Sequence, residues 1–356
     1  MIPTAAKVGV EGLREHADRI DVRSPSEFAI DHIPGAINLP VLDDSERAEV
    51  GTIHAQQSGF AAKRYGASIV ARNIANILAT HCRDKPREWA PLVYCWRGGK
   101  RSGSLAHVLK EIGWRAVQLE GGYQTYRRHV VSSLETLPAK FEFVVVCGLT
   151  GSGKSRLLRA IGDAGAQVLD LELLANHRGS LLGDHPVEPQ PSQKAFDTGV
   201  VAALEAFDPS RPVFVESESR KVGTVQLGNA LLGAMRGATC VRLRTPQPLR
   251  VTMLKEDYEH FLSDPEALCD RLSRLVELHG RKIIERWNAA ARAGEFDALV
   301  DELLVRHYDP MYARSIETNF PRSARAIDVD VSSVSSEGMR ALADEVIAAV
   351  SSEALA

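Results

Sequence analysis

Two short stretches hold most of the reactive chemistry in this chain. The first is Cys95-Trp96-Arg97-Gly98-Gly99-Lys100-Arg101-Ser102, which follows the apolar run Leu92-Val93-Tyr94 and leads into a helical pattern from Ser104 to Ile112. Consecutive backbone N–H groups ahead of a helix can curl round an anion. Gly98 and Gly99 permit the backbone angles and the close approach such a curl requires, and Arg97, Lys100 and Arg101 add positive charge. The same field favours thiolate over thiol. A thiolate there can attack sulfur, selenium or phosphorus while the loop holds the charged adduct. A structural cysteine needs neither three basic neighbours nor two glycines. Cys147 and Cys240 lie in apolar strand-like runs and read as core, as do Cys82 and Cys269.

The second stretch, Gly148-Leu149-Thr150-Gly151-Ser152-Gly153-Lys154-Ser155, matches G-x-x-x-x-G-K-[ST] in full. It lies between an apolar strand, Phe141 to Cys147, and a helix opening at Lys154. In that setting the backbone N–H groups wrap a diphosphate, Lys154 neutralises its oxygens and Ser155 can ligate Mg²⁺. The motif specifies a diphosphate; it does not specify ATP hydrolysis. A partner acid belongs at the end of a neighbouring strand, and Val213-Phe214-Val215-Glu216-Ser217-Glu218-Ser219-Arg220 supplies Glu216 and Glu218 for a metal's water shell, with Arg220 closing the segment. Each acid reads equally well as a solvated strand end. Asp170 ends a further strand, and Arg178, in Asn176-His177-Arg178-Gly179-Ser180, either clamps a phosphate or belongs to a capping turn. Mg²⁺ held through Ser155 and Glu216 is the one metal expected, with no tightly bound cofactor.

The elements that must position these residues follow from the apolar pattern. Strands at Arg19–Arg23, Ala36–Pro40, Pro91–Tyr94 and Ala116–Leu119 alternate with helical stretches such as 66–81, which predicts a small α/β domain over 1–135 with a parallel sheet. Leu134 to Lys140, punctuated by Pro138, reads as a linker. A second α/β domain then runs over 141–356. Its strands lie at 141–147, 167–171, 212–216, 239–243 and 324–329, with a helical region at about 246–305 and a closing helix at 336–351. The expected fold class is thus a parallel-sheet α/β domain followed by a P-loop NTPase-like α/β domain with a helical insertion or extension.

Length and composition fit this. The 356 residues are 44% hydrophobic and 25% charged, ordinary for a soluble protein of two domains. The longest apolar runs are strand-sized, and the first residues show no basic region ahead of an apolar block, so neither a membrane span nor a secretory signal is expected. Five cysteines without C-x-x-C spacing argue against a disulfide framework or a zinc site and for a reducing, cytoplasmic setting. The net charge of −3 conceals a split: residues 1–140 hold 19 Lys+Arg against 15 Asp+Glu, and the remainder 24 against 31. Local clusters, not the total, decide phosphate binding. Arg127-Arg128-His129 joins the loop cations as a surface for RNA or as a solvated face, and Arg271, Arg274 and Arg281 share one helix face with the same two readings.

Residues 20–40, IDVRSPSEFAIDHIPGAINLP, resemble the rhodanese signature, and Leu119-Glu120-Gly121-Gly122-Tyr123 resembles that family's closing segment. The resemblance implies a central parallel sheet flanked by helices and places Cys95 as the residue bearing a persulfide or perselenide. The loop departs from many single-domain rhodaneses, because five residues separate Cys95 from Arg101 where those have four. That spacing resembles the dual-specificity phosphatases of the same fold, so chalcogen transfer and phosphate-ester hydrolysis both remain open; the absence of Asp or Glu within the loop favours transfer. Cys-Trp-Arg-Gly-Gly, Leu-Ala-Asn-His-Arg-Gly-Ser and His-Tyr-Asp-Pro, on a rhodanese-like domain fused to a P-loop domain, resemble the tRNA 2-selenouridine synthase family over nearly the whole chain. That resemblance implies a bacterial, cytoplasmic transferase acting on tRNA with 2-thiouridine at the wobble position. It also implies selenophosphate and geranyl diphosphate as co-substrates. The rival that the residues leave open is a rhodanese-fold phosphatase fused to a small-molecule kinase.

Overall fold

The structure is a computed structural model that describes residues 6–180, 182–184 and 188–353. It divides into two compact units, Met1–Ser133 with Lys194–Ala202, and Leu134–Gln193 with Ala203–Ala356.

In the first unit β1 (Lys7–Val8), β2 (Arg19–Asp21), β3 (Ala36–Asn38), β4 (Leu92–Tyr94) and β5 (Val117–Leu119) form one sheet in the order β1-β5-β4-β2-β3. Every pairing is parallel. A parallel sheet covered on both faces demands apolar strands, and Leu92, Val93 and Tyr94 are fully buried at its centre. The helices Gly59–Thr80 and Lys100–Ile112 contribute Ile74, Ile77, Leu105 and Leu109 to one cluster with Ile20, Val22 and Val93. Ser24 and Pro25 start a short helix, Pro25–Ile30, and the Ser24 N–H donates to Glu27 Oε2 at 3.3 Å.

In the second unit β6 (Phe143–Cys147), β7 (Gln167–Leu169), β8 (Val213–Glu216), β11 (Thr239–Arg244) and β12 (Ile327–Asp330) form a parallel sheet ordered β12-β11-β6-β8-β7, while β9 (Lys221–Val222) and β10 (Val225–Gln226) make a small antiparallel hairpin. All of β6 is buried, as its unbroken apolar run predicts. Val144 and Val146 pack with Leu157, Leu158 and Ile161 of the helix Lys154–Asp163 and with Met339, Ala343 and Val346 of the closing helix Ser336–Glu353. The helical region begins at Gln247 and runs on to Asn319, farther than the apolar periodicity indicates. Its own core gathers Phe261, Leu268, Leu272, Ile284, Trp287 and Leu299. The stretch read as a linker is ordered: the helix Gly122–Thr136 takes up its start and a 3₁₀ turn, Pro138–Lys140, its end. Proline at the first position of that turn begins it without losing a hydrogen bond. Among the described residues no helix is long and apolar enough to cross a membrane.

Candidate active site

The thiol loop leaves β4 at Tyr94 and enters the helix Lys100–Ile112 through Gly99. Cys95 is buried, at 3% exposure, but so are the other four cysteines, so burial does not single it out. Its surroundings do. Ser102 Oγ donates to Cys95 Sγ at 3.2 Å, and Gln118 Nε2 donates to Ser102 Oγ at 2.7 Å and to Gly99 O at 2.9 Å. Ser102 and Gln118 are themselves buried. The loop is clamped to the segment after β5: Tyr123 N donates to Cys95 O and Gln124 N to Trp96 O, each at 2.9 Å. Only glycine fits this junction. Gly98 and Gly122 both have φ of +60°, and a Cβ on Gly122 would lie 2.2 Å from Cys95 O and 2.3 Å from Gly98 N.

Arg97, Gly99 and Lys100 are exposed along the loop, with Trp96 and Gly98 half-buried. Arg101 is engaged: its Nη1 donates to Glu27 Oε2 at 2.7 Å. Burial pushes the Glu27 carboxyl up, but the Arg101 hydrogen bond and charge outweigh it and hold the group below the usual carboxylate range. Glu27 and Gln118 escape sequence reading because they reach the loop from other elements; Glu27 looks there like a helix-start acid. Behind the loop, Arg23 donates from Nε to both oxygens of Asp21 at 3.0 and 2.9 Å and stacks 4.0 Å from the Tyr123 ring centre, and Tyr123 Oη donates to Asp31 at 2.6 Å. Arg127 is paired with Asp197.

The phosphate loop runs from β6 to the helix Lys154–Asp163. Lys154 is buried to 8% exposure; its Nζ donates to Gly148 O at 3.0 Å and to Leu149 O at 3.4 Å, and lies 4.7 Å from the Tyr312 ring centre. Burial lowers its pKa against the pull of Glu172 and Glu218. Thr150 O accepts from Arg250 Nε at 2.9 Å, and the buried Arg250 is fixed by Asp309 through both guanidinium ends, one at 3.0 Å. The His-Tyr-Asp-Pro string therefore braces the loop through Asp309, a role its composition does not announce.

Ser155 Oγ donates to Glu172 Oε2 at 2.6 Å, so the carboxylate nearest this hydroxyl is Glu172, which the strand-end pattern passes over in favour of Asp170 and Glu216. Glu216 accepts from the Glu172 N–H at 2.6 Å, and its buried Oε2 finds no partner among the described residues. Burial, then the charges of Asp170, Glu172 and Glu218, raise Glu216 well above the usual carboxylate range. Burial and Glu172, opposed by Lys154, push Glu218 up to about 7. Asp170 caps the short helix Leu171–Ala175 by accepting from Leu173 N at 2.8 Å.

An open cleft of about 800 Å³ exposes Thr150 to Ser155, with Asp170, Glu172, Arg178 and Tyr312 on its walls. Arg178 lies 4.9 Å from the Tyr258 ring centre, and its buried Nη1 finds no hydrogen-bond partner among the described residues. Arg220 is exposed and bonded to Asn229. The hydroxyl and carboxylate oxygens beside the loop are hard donors of the kind Mg²⁺ takes, although no cluster of three or more His, Cys, Asp and Glu suited to a metal occurs among the described residues.

The family model of the rhodanese-like domain matches residues 10–129, and that of the tRNA 2-selenouridine synthase AAA domain matches residues 141–268. A tRNA 2-selenouridine synthase of Bdellovibrio bacteriovorus is 34% identical over 339 residues, spanning 84% of this chain and 88% of its own length. This chain belongs to the tRNA 2-selenouridine synthase family. The synthase of Nitrosomonas europaea is 35% identical over 268 residues, covering 72% of this chain and 67% of its own length, and that of Hydrogenovibrio crunogenus 32% over 320 residues, covering 82% and 87%. In this member of the family the thiol loop falls within the rhodanese-like match and the phosphate loop within the AAA match.

Proposed function

We propose that the chain replaces the sulfur of wobble 2-thiouridine in tRNA with selenium from selenophosphate, by way of an S-geranyl intermediate. The observation that carries this reading is the pairing, in one chain of this family, of a buried thiol inside a basic strand–loop–helix turn with a complete phosphate loop lined by Lys154 and an unpaired Arg178 nitrogen. In the first step the thiocarbonyl sulfur bonds to C1 of geranyl diphosphate, the C1–O bond breaks and diphosphate leaves. Backbone N–H groups of Gly148 to Ser155, with Lys154 and Arg178, hold that leaving group and its developing charge. Ser155, with Glu172 or Glu216, would hold Mg²⁺, which supplies further neutralisation of the diphosphate when bound. In the second step the selenium of selenophosphate, held at the Cys95 loop, adds to C2 of the base and the C2–S bond breaks to expel geranyl thiolate. Attack of the Cys95 thiolate on phosphorus then breaks the P–Se bond, leaving 2-selenouridine, and water hydrolyses the phosphorylated cysteine to release phosphate. Arg97 and Lys100, exposed on the loop, meet selenophosphate or the tRNA backbone.

The phosphatase rival needs an acid to protonate a leaving alcohol. The carboxyl that reaches the loop is Glu27, and Arg101 holds it ionised, which supports transfer over ester hydrolysis. Mass spectrometry of wobble nucleosides tests the proposal after 2-thiouridine tRNA is incubated with geranyl diphosphate and selenophosphate. S-geranyl-2-thiouridine should appear without selenophosphate and 2-selenouridine with it. Turnover of an aryl phosphate or of ATP, indifferent to tRNA and with no modified nucleoside, would favour the rival.

A further inference from the structure

Thr150, Ser180, Leu254 and Tyr258 line two cavities at once. One is the phosphate-loop cleft. The other is narrower and its wall is almost wholly apolar, closed by Leu262, Phe296, Leu299, Val300, Leu303 and Leu304. Leu254, which lines both, packs directly against the phosphate loop: a Cβ on Gly151 would come 2.7 Å from Leu254 Cγ. The few polar groups on the apolar side are already engaged. Ser180 and Tyr258 hydroxyls bond each other at 3.2 Å, and Lys255 Nζ donates to Asp297 at 2.9 Å. A nucleobase placed there would lose its hydrogen bonds to water without replacement. A hydrocarbon chain would lose nothing and gain from leaving water. At the junction, Tyr258 carries the Arg178 guanidinium on its ring, and Arg178 faces the cleft. The ligand that matches both cavities has a diphosphate at one end and an apolar chain at the other.

We propose that this cavity is the subsite for the hydrocarbon chain of a prenyl diphosphate whose head lies on Gly148 to Ser155, and that Leu299, Val300 and Leu303 limit the chain length accepted. The inference rests on the reading of the loop as a diphosphate site.

Calorimetry on the full chain separates the two. Inorganic diphosphate should bind wild type and fail to bind Lys154→Ala; no binding to wild type would overturn the loop reading and this inference with it. Geranyl diphosphate should bind wild type at least tenfold more tightly than inorganic diphosphate. Val300→Trp should erase that gain and leave inorganic diphosphate unchanged, which also shows that the variant folds. Leu303→Ala, which only removes bulk, should improve farnesyl relative to geranyl diphosphate severalfold. With inorganic diphosphate binding intact, the chain subsite is overturned if geranyl diphosphate binds no more tightly than inorganic diphosphate. It is equally overturned if the gain survives in Val300→Trp and Leu303→Ala leaves the farnesyl-to-geranyl ratio unmoved.

Discussion

The two strand–loop–helix turns of this chain are built alike and place their charges differently. In the first unit the cations Arg97 and Lys100 are exposed along the loop, the thiol is buried, and the carboxylate that reaches the loop, Glu27, is neutralised by Arg101. In the second the cation Lys154 is buried, and Glu216 and Glu218 are buried with it. The front turn offers charge to an incoming anion at little desolvation cost. The rear turn holds a cation and several acids out of water, and burial together with the neighbouring carboxyls raises Glu216 and Glu218 above the usual carboxylate range. On the proposed reading the same backbone device serves two kinds of chemistry, one centred on a side-chain nucleophile and one on backbone and lysine donors.

The sharpest way to break that comparison is to remove each centre in turn. On the proposed division of labour Cys95→Ala lowers selenation by at least roughly 10³-fold, the scale of losing a reacting side chain, while S-geranyl nucleoside still accumulates. Loss of both products from a folded Cys95→Ala chain would put one chemistry across both units and defeat the division. Lys154→Ala should cost geranylation on the order of 10²-fold, as removal of one charge-stabilising donor does. Selenation of tRNA already carrying the S-geranyl group should then be untouched; if it falls in parallel, Lys154 does more than hold a leaving diphosphate.

A finer test concerns what surrounds the thiol. Ser102→Ala removes the donor 3.2 Å from Cys95 Sγ and leaves Gln118 without one of its two acceptors. A hydrogen bond contributes about 1 kcal/mol, so selenation should fall roughly fivefold in kcat with little change in the KM for selenophosphate, and geranylation should hold. A pure KM effect would mean that Ser102 binds the anion and does not orient the thiol.

Much of the fold is legible in the sequence alone. Unbroken apolar runs such as Val144 to Val146, each followed by glycines and a helical period, leave little choice but a buried parallel strand feeding a helix N-terminus, and the α/β architecture follows in both units. The two-residue strand Lys7–Val8 and the hairpin at 221–226 are too short to carry any period. At the sites, local motifs reveal only what is contiguous. Glu27 meets Arg101 across 74 residues, Gln118 meets Ser102 across 16, and Arg250 meets Asp309 across 59, so no spacing rule reaches them. Glu172 lies only two residues after the strand-end Asp170, but an acid in the first turn of a helix needs no other explanation. Arg220 shows the reverse failure: its place beside Glu216 and Glu218 suggests a site, yet its side chain is exposed on Asn229.

The smallest effect bears on the acids themselves. Glu218 is held up to about 7, chiefly by burial and then by Glu172, whereas an unfolded glutamate titrates near ~4.3. The folded chain therefore keeps a proton that the unfolded chain has released. The stability this provides is complete below the unfolded value and is lost as pH rises through about 7. Glu218→Gln fixes the neutral form at nearly the same volume. Its Tm should match wild type near pH 5 and exceed it by about 5 °C at pH 8.5, where a buried glutamate must carry charge. An equal difference at both pH values would show that Glu218 is ionised throughout, compensated by Lys154, and the contrast drawn between the two turns would then rest on burial alone.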